Sequence, residues 1–382
     1  MFYAGARLIR SGDRENIYDL HTMVRAIMEL RGYTDVPAEP PTDTEYTRWQ
    51  RYYNPPFFLL ALSPMTLLDL QTAYLVVTVL NLGLLVVLAL LLGCILRWRM
   101  PDSSLLVLAL FGFSPVYFAL HHAQPTILLA VLLAAGYVAL RDERFARAGV
   151  FLSFMALKPH WLFPAAVVVP KQRRLVVPLV LVSTAVLLLP FVLLGPSALL
   201  DYVTLATGRG SDDLSNPEFA GSVLSWGGFF RALTGETEPG MWLGASLVTL
   251  GVFLVAWRYG SIERAIAAAT IVCLIVVPHS HSQDWVVMLP VAAILLTSTA
   301  GVHARLITGV LLVAVYLGAN DWPSAQANML ANGEAVFWVT PAAFALLVQL
   351  ACASVIESRS RSSMNPKDRL VYGASSPVVR EV

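Results

Sequence analysis

The chain has 382 residues, of which 57% are hydrophobic and 13% charged, about half the charged share of a typical soluble domain. That balance excludes an ordinary water-soluble globule and points to an all-α polytopic protein of the lipid bilayer. A formal net charge of +1 excludes binding driven by a basic surface, so no nucleic-acid partner is expected.

The polar charge is concentrated at the front. Residues 1–56 carry seven Arg and eight Asp or Glu. The first 20 residues have no apolar core of the signal-peptide type. In SGDRENIYDLHTMVRAIMEL a helix is expected after Asp19, because Asp is a preferred cap. Asp13 and Asp19 are also the carboxylates available for chemistry in this region. The segment closes on YYNPPFFLLALSP, where Asn54-Pro55-Pro56 leads into an apolar run. Proline fits the first turn of a helix there.

Nine stretches then approach spanning length: 71–96, 103–121, 124–140, 175–195, 241–257, 262–278, 284–298, 303–319 and 335–356. Runs at 57–68, 146–157 and 160–170 are too short to span and are expected as re-entrant or half-helices. Cys94, Cys273 and Cys352 all fall in apolar runs and read as small buried hydrophobes. No Walker, GxGxxG or HExxH pattern occurs.

Lys and Arg set the expected orientation. Alternate breaks, with the tail after Glu357, hold sixteen of them; the opposing breaks hold three, namely Lys158, Arg209 and Arg231. The first set is therefore assigned to the cytoplasm. Residues 1–56 and 195–240 become outer loop regions, 57–356 the transmembrane body, and the Ser-rich 357–382 a disordered cytoplasmic tail. An outer amino terminus needs an earlier crossing, so an apolar helix upstream of Met1 is expected.

The outer breaks carry the remaining polar residues: His121, His122 and Gln124 in HHAQP, Lys158 and His160 in ALKPHW, and His279, His281 and Asp284 in PHSHSQDW. Each has a bland role as well. Lys158 could snorkel, the paired histidines could end a solvated helix, and Asp19 could only cap. His279, His281 and Asp284 lack a second cluster with ligand spacing, so no metal and no cofactor are assigned. Ionisable groups at membrane depth nevertheless point to function. Lysine and histidine can neutralise a phosphate, and a carboxylate can take a proton from a hydroxyl.

FYAGARLIRSGDRENIYD, YNPPFFLLALSPMTLL, the stretch from HHAQP to ALKPHW, and SVLSWGGFFRAL together resemble glycosyltransferase family 87. These are bacterial membrane glycosyltransferases of the GT-C fold, many labelled as a domain of unknown function, DUF2029. The resemblance covers about residues 2–350. It implies a polyprenyl-phosphate sugar donor, mannose or a related hexose, a lipid or glycan acceptor, and an active site on the outer face of the bacterial inner membrane. Gln124 matches the family's Gly-Gln motif with Ala123 in place of glycine, Lys158-Pro159 matches a Lys-Pro motif, and His281 falls where the family has a histidine. Together with the basic, histidine-bearing outer breaks read above, Lys158, His160, His279 and His281 are expected at the donor phosphate. Gln124, His122, Asn54, Asp284 and Arg231 are expected in the substrate pocket. The family's aspartate base should precede Phe2-Tyr3-Ala4, so the base is expected upstream of Met1, with Asp19 and then Asp13 as candidates within the chain. Transfer is expected as one inverting displacement. Two rival readings are a transporter or flippase of a lipid-linked saccharide, and an inactive truncated homologue. A transporter should show paired broken helices in two halves, and no such symmetry is seen.

Overall fold

The structure is a computed structural model that describes residues 2–33, 54–97, 103–215, 223–235, 239–278, 280–332 and 338–363. Among these the regular structure is helical, and extended pairing is limited to one antiparallel bridge between Val223 and His281.

The front end folds into α1 (Phe2–Ser11) and α2 (Leu20–Leu30). Asp19 starts α2 from an extended conformation, and its carboxylate accepts the Thr22 N–H at 2.8 Å. One face of the pair is apolar. Phe2, Leu8, Ile17, Met23 and Ile27 pack with Leu59, Phe191 and Leu194 in a cluster separate from the main core. Gly5 permits the close approach: a Cβ there would meet the Leu59 side chain at 2.8 Å. Tyr3 Oη and Arg10 Nη1 donate to the Leu68 and Thr66 carbonyls, each at 2.7 Å.

After Pro55-Pro56 come α3 (Phe57–Leu62), a 3-10 turn (Ser63–Leu67) and the long α4 (Leu70–Leu96). Asp69 caps α4 through Thr72. The stretch expected as one helix over 103–121 is two, α5 (Ser103–Phe111) and α6 (Ser114–His121). Next come α7 (Thr126–Arg141), α8 (Phe145–Ser153), the turns around Lys158, and α9 (Leu162–Ala166). Then follow α10 (Val176–Leu194), α11 (Pro196–Ser215), α12 (Trp226–Thr234), α13 (Pro239–Tyr259) and α14 (Ile262–Val276). A 3-10 turn (Ser282–Val287) leads into α15 (Met288–Ser298), α16 (Val302–Asn332) and α17 (Val339–Ser363).

Among the described residues five helices, against the nine stretches expected, are long and apolar enough to cross a membrane: Leu70–Leu96, Arg173–Leu194, Pro239–Tyr259, Val302–Asn320 and Val339–Ser360. The other four stretches are shorter or broken. The half-helices expected at 57–68, 146–157 and 160–170 are present as short α and 3-10 pieces. Much of 195–240 is helical too, and α17 carries helix through 357–363, where a polar tail was expected; the rest of that tail lies outside the described residues.

The five long helices bury only 17% to 44% of their most apolar windows, so they turn apolar faces outward, as lipid favours. Inside them, α7 and α14 are buried along nearly their whole lengths. Sixteen and fifteen residues give helices of about 24 and 22 Å, short of the ~30 Å hydrocarbon layer.

One end of these inner helices is tied to the basic breaks. Arg141 donates to the Cys94 carbonyl at 3.2 Å, Lys171 to Gly260 at 2.9 Å, and Arg305 to Thr299 at 2.8 Å; Arg264, buried, pairs with Glu357.

Candidate functional site

The lysine turn is built by its own sequence. Helix α8 tightens into a 3-10 turn (Phe154–Leu157). Pro159 disfavours helical geometry at the residue before it, and Lys158 is extended, with φ −126° and ψ 103°. A second 3-10 turn (Pro159–Trp161) follows, with Trp161 fully buried. The His160 carbonyl accepts the Cys273 thiol of α14 at 3.3 Å.

Lys158 Nζ donates to Asp284 Oδ1 at 2.5 Å, and the two side chains are 9% and 2% exposed. Burying two charges costs several kcal/mol per ion, and is tolerated only with good geometry and further hydrogen bonds. Here the further bond comes from the main chain: Asp284 Oδ2 accepts the His281 N–H at 3.2 Å, while the Asp284 N–H donates to the His281 carbonyl at 2.9 Å. The turn is therefore closed on itself as well as on Lys158.

The SVLSW segment lies against this turn. Val223 bridges to His281, and the Leu224 N–H donates to the Ser280 carbonyl at 2.7 Å. Thr340 at the start of α17 donates to the Leu224 carbonyl at 3.2 Å, and Trp226 Nε1 to Thr249 at 2.8 Å. Helix α12 then carries Arg231, half-buried.

Helices α6 and α7 both pack on the Ser282–Val287 turn, so the HHAQP loop belongs to the same neighbourhood. His121 and His122 stack edge to face with ring centroids 5.0 Å apart. Ala123 sits in the left-handed region at φ 50°, and Gln124 Oε1 is buried with no hydrogen-bond partner among the described residues.

Lys158, His160, His281 and Asp284 therefore lie on two turns joined by an ion pair. Asn54 is one step away: its carbonyl accepts Tyr18 Oη at 3.1 Å, and the neighbouring Phe57 ring lies 6.4 Å from Phe154, just before Lys158. The two front-end carboxylates have local partners instead. Asp19 caps α2, and Asp13 accepts from Asn16 Nδ2 at 2.7 Å. His279 lies outside the described residues. Ser225 and Ser280, both buried with no partner for Oγ among the described residues, adjoin the His281 turn and were not singled out from sequence. A serine hydroxyl carries no charge, and nothing local shows that the bridge pairs these two segments. Among the described residues no group of three or more His, Cys, Asp and Glu is placed to hold a metal.

The family model of glycosyltransferase family 87 matches residues 52–276 of this chain, well over half its length. The match begins two residues before Asn54 and takes in the HHAQP loop, the Lys158 turn and the SVLSW segment. It ends before His281 and Asp284. No curated protein and no solved structure matches the chain.

Proposed function

This chain belongs to glycosyltransferase family 87, a family of membrane glycosyltransferases, and from that premise we propose that it moves a sugar, mannose or a related hexose, from a polyprenyl phosphate to a lipid or glycan acceptor. The acceptor oxygen attacks the anomeric carbon. The bond from that carbon to the donor phosphate oxygen breaks, and its electron pair leaves on the phosphate. The acceptor proton passes to a carboxylate, for which Asp19 is the first candidate in this chain and Asp13 the second. One displacement inverts the anomeric centre. The phosphate departs as an anion, so no general acid is required.

The observation that carries this reading is Lys158, a buried cation on a turn, with His160 beside it and His281 on the turn joined to it by Asp284. Lysine and histidine are suited to receive a lipid phosphate. Arg231, Gln124, His122 and Asn54 are proposed to line the sugar and acceptor region, with His279 at the phosphate. The site faces outward in this proposal, with the basic ends of the helices in the cytoplasm.

Membranes containing the chain, given labelled polyprenyl-phosphate mannose, should transfer label to endogenous lipid or glycan without nucleotide sugar. Lys158→Ala should raise the donor KM about tenfold to a hundredfold, the worth of one charge-assisted hydrogen bond. Transfer from a nucleotide sugar, with none from the lipid phosphate, would overturn the reading.

A further inference from the structure

Among the described residues, the Lys158 ammonium of the proposed site makes one hydrogen bond, to Asp284 Oδ1. An ammonium has three N–H donors, so two are left for an incoming anion. Asp284 does not compete for them with its second oxygen, because Oδ2 is held by the His281 main-chain N–H. One carboxylate thus ties the turn that carries Lys158 to the turn that carries His281, across 126 residues of sequence. Lys158 is 7% exposed, and a buried cation is tolerated only when it is paired and hydrogen-bonded. Among the described residues, the charged and titratable groups on these turns and on the helices packed against them include Asp284 and His281 on one turn, His160 beside Lys158, Cys273 on α14 and His122 at the end of α6. Asp284 is the only carboxylate among those five.

We infer that Asp284 is a positioning residue for the donor: it orients the Lys158 ammonium and holds the His281 turn beside it, so that one phosphate meets both. This rests on Lys158 being a phosphate ligand, and it adds a specific role for a residue that does not itself bind the phosphate. Asp284 shares the lysine with the donor and is not displaced by it.

The test uses the purified full chain in lipid nanodiscs, with polyprenyl phosphate as the probe, so that the identity of the sugar does not matter. Affinity is measured at pH 7. Asp284→Asn should weaken binding about tenfold or more, as loss of a charge-assisted contact implies. Lys158→Ala should weaken binding as much, and the double variant should be little worse than either, because the two residues act as one unit. Asp284→Glu keeps the charge and covers the case in which Asp284→Asn does not fold: affinity between that of the wild type and that of Lys158→Ala supports the inference, and wild-type affinity overturns it. Wild-type affinity in Asp284→Asn, beside a damaging Lys158→Ala, would remove the inference and leave the proposed function standing. A harmless Lys158→Ala would remove both.

Discussion

The main-chain N–H of Ser114 donates to Asn320 Oδ1 at 2.7 Å, across 206 residues of sequence. Asn320 Nδ2 donates in turn to the Gly112 carbonyl at 2.9 Å, and the Ser114 hydroxyl to the Ala319 carbonyl at 2.9 Å. The break between α5 and α6 is thereby supplied with partners from α16. Broken helices are tolerated at membrane depth when the freed backbone groups are satisfied in this way.

Asn320→Leu should destabilise the protein by about 1 kcal/mol or more, the worth of the hydrogen bonds lost at the part-buried break. Thermal unfolding in detergent would show it as a lowered midpoint. An unchanged midpoint would mean that the break does not depend on α16.

Ala123 is the second backbone test. A non-glycine residue at φ 50° carries a left-handed penalty of about 1–2 kcal/mol. Ala123→Gly should therefore raise stability by about 1 kcal/mol, less the extra entropy that glycine loses on folding. The resemblance to a Gly-Gln motif acquires a physical meaning here, since the loop puts its glycine position where glycine is favoured. A lowered midpoint for Ala123→Gly would contradict the conformation.

These two cases show what the sequence could and could not say. The helix after Asp19 was legible because a cap is a local device, one residue bonded to the amide three places on. The short pieces around Lys158 were legible from run length and Pro159. The break at Gly112-Phe113 was missed because 103–121 was read by run length and hydropathy, although Ser114-Pro115 marks a helix start there; the group that bonds across the break sits on Asn320. Lys158 and Asp284 each stood out as ionisable groups in apolar surroundings. Their pairing could not be read from the sequence, since nothing local links residues 126 positions apart. The difference in span number has a similar cause. Hydropathy measures a run, whereas α7 and α14 are inner helices whose apolarity serves burial in protein.

Orientation is open to a direct measurement. The basic breaks gather at one end through Arg141, Lys171 and Arg264. In a background with Cys94, Cys273 and Cys352 replaced, a cysteine at Ser211 should react with an impermeant reagent in intact cells, and one at Ser362 should not. The reverse pattern would place the proposed site on the cytoplasmic side.

The last prediction separates two roles of Asp19. Its Oδ1 accepts the Thr22 N–H at 2.8 Å and so caps α2. A base for the acceptor hydroxyl would use the same carboxylate through its charge. Asparagine caps about as well as aspartate but cannot take the proton. Asp19→Asn should therefore leave the unfolding midpoint nearly unchanged and lower kcat by about a hundredfold or more. Asp19→Ala should lower kcat as far and also lose about 1 kcal/mol of stability with the cap. Asp13 supplies the control, because its Oδ1 accepts only from Asn16 Nδ2 on the exposed surface; Asp13→Asn should change kcat much less. Full activity in Asp19→Asn, with the stability loss confined to Asp19→Ala, would reduce Asp19 to a helix cap and remove it as the base.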